Sequence, residues 1–120
     1  MEYYECNIFN WFFAKFNISD LNCIKNWNVS KCKDFSDMFT SCKKLKDLKT
    51  IQNWDVSNGH YFYSMFEGCH LLSDLQPIEN WNVSNGEVFN HMFNNCKSLK
   101  NRNVLKKWKF KNDYFQYMFE

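Results

Sequence analysis

Apolar side chains return along this chain in a fixed pattern. Phe35, Met38, Phe39 and Cys42 fall at i, i+3, i+4 and i+7, and the stripe recurs as Phe62-Met65-Phe66-Cys69 and Phe89-Met92-Phe93-Cys96. That spacing covers one face of a helix and predicts a short helix over each stripe. A helix of about two turns does not persist alone in water, so each must be held by packing against neighbours. A second apolar segment runs Leu45-x-x-Leu48-x-x-Ile51 and then Trp54-x-Val56. Its mixed spacings of three and two predict a short strand followed by an extended turn, with strands near 46–49, 73–76 and 100–103. Asn58-Gly59 and Asn85-Gly86 mark tight turns where positive φ is available.

The pattern has a period. Trp27, Trp54, Trp81 and Trp108 are 27 residues apart, and eleven residues after each of the first three stands a Met-Phe pair, with Met118-Phe119 close to that place in the last. Cys42, Cys69 and Cys96 keep the same interval, as do Leu45, Leu72 and Leu99. Shifted back by 27, the register meets Ile8, Trp11, Phe12, Ile18, Leu21 and Ile24, although Lys15 stands where the cysteine would be. The chain therefore reads as one repeat array over 1–120, with units near 1–26, 27–53, 54–80 and 81–107 and an incomplete unit at 108–120. One unit of 27 residues has too little core to fold alone. Stacking places each Phe, Met, Trp and Leu beside its own copy. The predicted fold class is an α/β repeat solenoid of about four and a half helix-plus-strand units.

The string Trp-[Asn/Asp]-Val-Ser-Asn, followed by Phe-x-x-Met-Phe-x-x-Cys-x-x-Leu-x-x-Leu, resembles the BspA-like leucine-rich repeats of bacterial, protist and giant-virus proteins. The resemblance runs from about Ile8 to Phe119. It implies a leucine-rich-repeat-type solenoid used for protein–protein contact or adhesion, with no enzymatic activity. The chain departs from the family pattern where Arg102 replaces the leucine of Leu48 and Leu75, and where the first unit lacks the cysteine and the Trp-x-Val-Ser opening. No secretion signal or lipid-attachment cysteine precedes the repeats, which favours an intracellular over a secreted location.

Composition narrows the function classes. Apolar residues make up 45% and charged residues 23%, the mixture of a folded domain. Net charge is +2, too near balance to argue for a nucleic-acid partner, and no apolar run is long enough for a membrane span. Aromatics reach 20%, which the repeated core ladder explains without a ligand. Of six cysteines, Cys42, Cys69 and Cys96 share one repeat position and read as a buried thiol ladder, while Cys6, Cys23 and Cys32 occupy unrelated positions. No Cys/His spacing suits zinc, and His60, His70 and His91 each sit at a different repeat position. No catalytic motif, metal set or cofactor cradle is present, so the chain reads as a non-enzyme without cofactor. Between Lys97 and Lys111 lie seven cations and no acid, read as a solvated outer face with Trp108 and Phe110 turned inward. Asn28-Val-Ser30 and Asn82-Val-Ser84 match a glycosylation acceptor, but as repeat motif they read as residues that satisfy backbone groups in a turn.

The predicted function is a protein–protein interaction module that binds an unknown protein partner through the strand-lined face of the solenoid. The residues between the core positions of that face are Asp47, Lys49, Asp74, Gln76, Asn101 and Asn103. The alternative is a truncated or remnant copy of a longer surface or adhesion repeat protein, with end-to-end self-association through uncapped apolar ends.

Overall fold

Left-handed backbone at two places in each of three successive units decides the local structure. In the computed structural model, which describes Phe13, residues 18–111, Phe115 and residues 117–120, positive φ occurs at Asp37 and Ser41, at Ser64 and Gly68, and at His91 and Asn95. These pairs lie at the same register in successive units, with φ from 52° to 74°. An α-helix needs negative φ throughout, so each of these residues breaks one. The stripe Phe35-Met38-Phe39-Cys42 is instead built from consecutive turns. The amides of Met38, Thr40 and Cys42 donate back three residues, to Phe35, Asp37 and Phe39.

The alternate amides point out of the unit. Phe35, Asp37, Phe39 and Ser41 donate to the carbonyls of Tyr61, Tyr63, Met65 and Glu67 at 2.6–2.9 Å. Phe62, Ser64, Phe66 and Gly68 repeat this to Val88, Asn90, Met92 and Asn94 at 2.8–3.0 Å. Successive units are thus layered in parallel, and the pairing contains the isolated bridges Asp34–Tyr61 and Tyr61–Val88.

The second segment is not a strand. Asn22–Ile24, Lys49–Ile51 and Gln76–Ile78 are single 3-10 turns that start 27 residues apart. Apolar residues at Leu48, Ile51 and Trp54 follow a spacing of three, which is the repeat of a 3-10 helix, where side chains at i and i+3 eclipse. The fourth copy, Arg102–Lys107, runs longer at six residues. Arg102 stands at the register of the buried Leu48 and Leu75; its charged group stays at the surface, 4.6 Å above the Phe119 ring. Among the described residues there is no α-helix and no strand beyond single bridges, so the α/β solenoid of helix-plus-strand units is overturned. The body measures 33 × 28 × 21 Å with a radius of gyration of 12.9 Å, close to the roughly 14 Å of a globular domain of this length.

The core itself follows the repeat register. Phe35, Phe62 and Phe89 form one column with ring centroids 5.4 and 5.1 Å apart and planes within 7°. Phe13, Phe39, Phe66, Phe93 and Phe119 form a second, at 5.4–5.5 Å. Leu21, Leu48 and Leu75, and Ile24, Ile51 and Ile78, are fully buried beside them, and Leu105 takes the next place after Ile78. Leu99 is only partly buried. The first-unit positions Ile8, Trp11, Phe12 and Lys15, and Cys6, lie outside the described residues.

Gly59 and Gly86 close turns onto the carbonyls of Val56 and Val83, both at 2.8 Å. Neither has positive φ. They are glycine for space: a Cβ would lie 2.5 Å from the Phe62 ring at Gly59 and 2.2 Å from the Phe89 ring at Gly86.

Candidate binding surface

The sequence-predicted face falls on the turns that enter the 3-10 segments. Asp47 and Asp74 use a carboxylate oxygen to accept the amides of Lys49 and Gln76, at 2.6 and 2.8 Å, as Asp20 does for Asn22 at 3.0 Å. Asn101 joins two layers: its side-chain oxygen accepts the Leu75 amide at 2.9 Å and its NH2 donates to Asp74 at 2.5 Å. All six positions are at least partly exposed, with Lys49 and Asp47 forming a loose 3.9 Å ion pair. They lie along one edge of the layers, but they line no strand, and Asp47, Asp74 and Asn101 are engaged in shaping the turns.

The Trp-[Asn/Asp]-Val-Ser-Asn motif is also structural. Asn28, Asp55 and Asn82 accept the amides of Ser30, Ser57 and Ser84 at 3.0–3.1 Å. The Ser57 hydrogen bonds hold the Asp55 carboxyl below its usual range. Asn58 and Asn85 then reach back one layer, each donating its NH2 at 2.7 Å to the carbonyl of Ser30 and Ser57. The indole N–H groups of Trp81 and Trp108 donate likewise to Ile51 and Ile78, at 3.1 and 3.0 Å.

The thiols form the expected ladder. Cys42, Cys69 and Cys96 are buried, and each donates its S–H to a carbonyl of the preceding layer: Phe13 at 3.4 Å, Phe39 at 3.2 Å and Phe66 at 3.0 Å. Burial pushes Cys42 and Cys96 up to about 12, and raises Cys69 well above an ordinary thiol with further help from its neighbouring thiols. Such thiols are poor nucleophiles at neutral pH. Cys23 is exposed, and Cys32 is buried and disulfide-bonded.

The outward positions of the parallel-bonded rows tell a different story. Tyr61 and Tyr63 flank the core residue Phe62 and are 44% and 42% exposed. Tyr63 meets His91 edge-on at 5.7 Å, and His60 lies 3.7 Å from the Glu87 carboxylate. Beside the tyrosines stand Asp34, bridged to Tyr61, and Asp37, whose amide bonds the Tyr63 carbonyl. Burial, then the Glu67 and Asp34 carboxylates, pushes Asp37 up from 3.8 to about 6. These tyrosines escaped the sequence reading because the aromatic excess was assigned wholly to the core. Their alternation with Phe62 was the available signal.

The cations between Lys97 and Lys111 are all exposed, while Trp108 is buried and Phe110 half-buried, as read from the sequence. Lys107 pairs with Glu79 at 3.2 Å. A groove of about 520 Å³ opens on this last layer, lined mainly by Leu105, Trp108, Phe110, Phe115 and Phe119 with Arg102 and Lys106 at its rim. Among the described residues no cluster of three or more His, Cys, Asp or Glu could hold a metal, and no helix is long and apolar enough to cross a membrane.

No curated protein and no solved structure matches the chain. A family model does, over residues 6–120, the span in which the 27-residue repeats lie. By that match the chain belongs to the family described as Mycoplasma protein of unknown function, DUF285.

Proposed function

We propose that the chain is a protein-binding repeat module without catalytic chemistry of its own. The carrying observation is the contrast between inward and outward positions of the same rows. Inward, the register holds Phe at 35, 62 and 89 and at 39, 66 and 93. Outward, it holds Asp34, Tyr61 and Val88 and then Ser36, Tyr63 and Asn90. A constant frame with a varied, aromatic outer face suits recognition, and tyrosine is enriched where proteins meet. The resemblance of the repeat string to BspA-like proteins, a family of contact and adhesion modules, supports the same reading. High thiol pKa values and histidines scattered over different registers give little basis for nucleophilic catalysis.

The test is affinity capture with the folded chain and with a Tyr61→Ser/Tyr63→Ser variant of unchanged thermal stability. The reading expects a partner held saturably by the first and lost by the second. Retention of nothing beyond what the urea-unfolded chain retains would refute it. The apolar groove on the last layer, with Phe115 46% exposed, favours self-association as a second reading. Sedimentation that depends on protein concentration would reveal it.

A further inference from the structure

The charge on the tyrosine-bearing rows is one-sided. Over 33–41, 60–68 and 87–95 the charged side chains are Lys33 against Asp34, Asp37, Glu67 and Glu87, so the rows sum to −3 in a chain of net +2. Among the described residues, Glu87 alone of these acids has a basic group within reach, His60 at 3.7 Å. Asp34 accepts the Ser36 amide at 2.9 Å and Glu67 accepts the Asn94 NH2 at 3.1 Å; both are neutral donors, which leaves the negative charge in place. Among the described residues no cation pairs with Asp34, Asp37 or Glu67, and Asp37 holds its proton unusually tightly as a result of that crowding and burial. Backbone hydrogen bonding sets Asp34 and Asp37 beside the two tyrosines, whose rings are exposed, and Glu67 lies close enough to Asp37 to raise its pKa. Tyr61 is bridged to Asp34, and the Tyr63 carbonyl accepts the Asp37 amide at 2.8 Å.

Phenol faces beside uncompensated carboxylates attract cationic side chains twice over. The carboxylates supply charge-assisted hydrogen bonds, most favourably to a guanidinium fork, and the ring faces supply cation–π attraction. We infer that the surface formed by Tyr61 and Tyr63 with Asp34, Asp37 and Glu67 takes an arginine- or lysine-bearing segment of a partner protein. This rests on the protein-binding reading and specifies its partner. The residues of the edge formed by Asp47 and Asp74 include no aromatic ring, and Asp47 there has a cation, Lys49, at 3.9 Å.

Fluorescence anisotropy with a labelled octa-arginine peptide on the full chain tests this, with octa-lysine and octa-glutamate as comparators. Asp34→Asn/Glu67→Gln keeps the side-chain acceptors while removing two charges. Asp47→Asn/Asp74→Asn removes the same two charges on the other edge and keeps the turn bonds. The inference expects saturable, salt-sensitive binding of the cationic peptides. Affinity should fall about tenfold in the first pair, about threefold in Tyr61→Ser/Tyr63→Ser, and less than about twofold in the second pair. Equal weakening by both charge pairs, or no saturable binding of either cationic peptide, would overturn it. If the cationic peptides fail while affinity capture still yields a tyrosine-dependent partner, the partner chemistry is wrong and the binding module stands. If both fail, the module reading falls as well.

Discussion

Replacing Phe66 by alanine removes the ring at the centre of the longer aromatic column. Phe66 is fully buried, with Phe39 and Phe93 each stacked 5.5 Å away and Trp81 tilted against it at 6.5 Å. Its backbone is also a junction: the amide bonds Met92, and the carbonyl accepts both the Cys69 amide and the Cys96 thiol. A Phe-to-Ala change in a packed core costs about 3–5 kcal/mol in lost transfer energy and cavity. Each stacked neighbour adds about 0.5–1.5 kcal/mol beyond area. The rings above and below can relax only along the column, so a loss of about 4 kcal/mol is expected. Phe119, half-buried with a single stacked ring neighbour at 5.5 Å, should lose only about 1–2 kcal/mol on the same change. Urea unfolding followed by tryptophan fluorescence reads both losses, and Phe66→Leu, expected below about 1.5 kcal/mol, keeps the comparison measurable if the alanine variant does not fold. A Phe66→Ala loss below about 1 kcal/mol, or no larger than that of Phe119→Ala, would refute the layered core.

Three further outcomes are expected. Gly86→Ala should destabilise by about 1–3 kcal/mol, because its Cβ would sit 2.2 Å from the Phe89 ring; at Gly68 a Cβ would meet Ser41 only at an ordinary 3.5 Å, so Gly68→Ala should cost only about 1–2 kcal/mol for its left-handed backbone, with thermal melts of the pair giving the order. Cys42, Cys69 and Cys96 should resist iodoacetamide until the chain unfolds while Cys23 reacts at once, as site-resolved mass spectrometry of timed quenches would show. Asp37, raised from 3.8 to about 6, binds its proton more tightly folded than unfolded, so stability should rise as pH falls through 6 and level off below 3.8. Asp37→Asn should flatten that rise and gain less than about 1 kcal/mol at pH 7, a sum reduced by solvent screening at this half-exposed group; urea titrations at several pH values give both numbers.

The core was legible in the sequence residue by residue. Among the described residues the periodic Phe, Met, Cys, Leu and Ile positions from 35 to 96 are buried, with Ile18 and Leu99 only partly so, and the Asn–Ser turn reading of the Trp motif matches its bonds. The secondary structure was not. Spacings of three and four describe a helix, but a string of turns closed by left-handed residues presents the same apolar order. The signal against a helix lay in the polar positions: Asp37, Ser64 and His91, then Ser41, Gly68 and Asn95, include the types that accept positive φ most readily. From Cys42 to Trp54 every apolar residue is three after the last, which marks successive i to i−3 turns and argues against strands. The outer face was hidden for a simpler reason. Tyr61 and Tyr63 follow no 27-residue rule, and only the alternation around Phe62 turns them outward.

The alternation of amides imposes an arithmetic on how such a molecule can grow or shrink. Between positions 35 and 42 odd-numbered N–H groups bond forward and even-numbered ones bond locally, while the Cys, Trp and Asn side chains bond backward. Insertion or loss of a single residue there would exchange the two sets, turning every forward donor inward and every phenylalanine out. Whole copies can be added or deleted without that inversion, because each brings its own complete row of donors and acceptors. Lineages carrying this architecture should therefore differ in length chiefly by multiples of one copy.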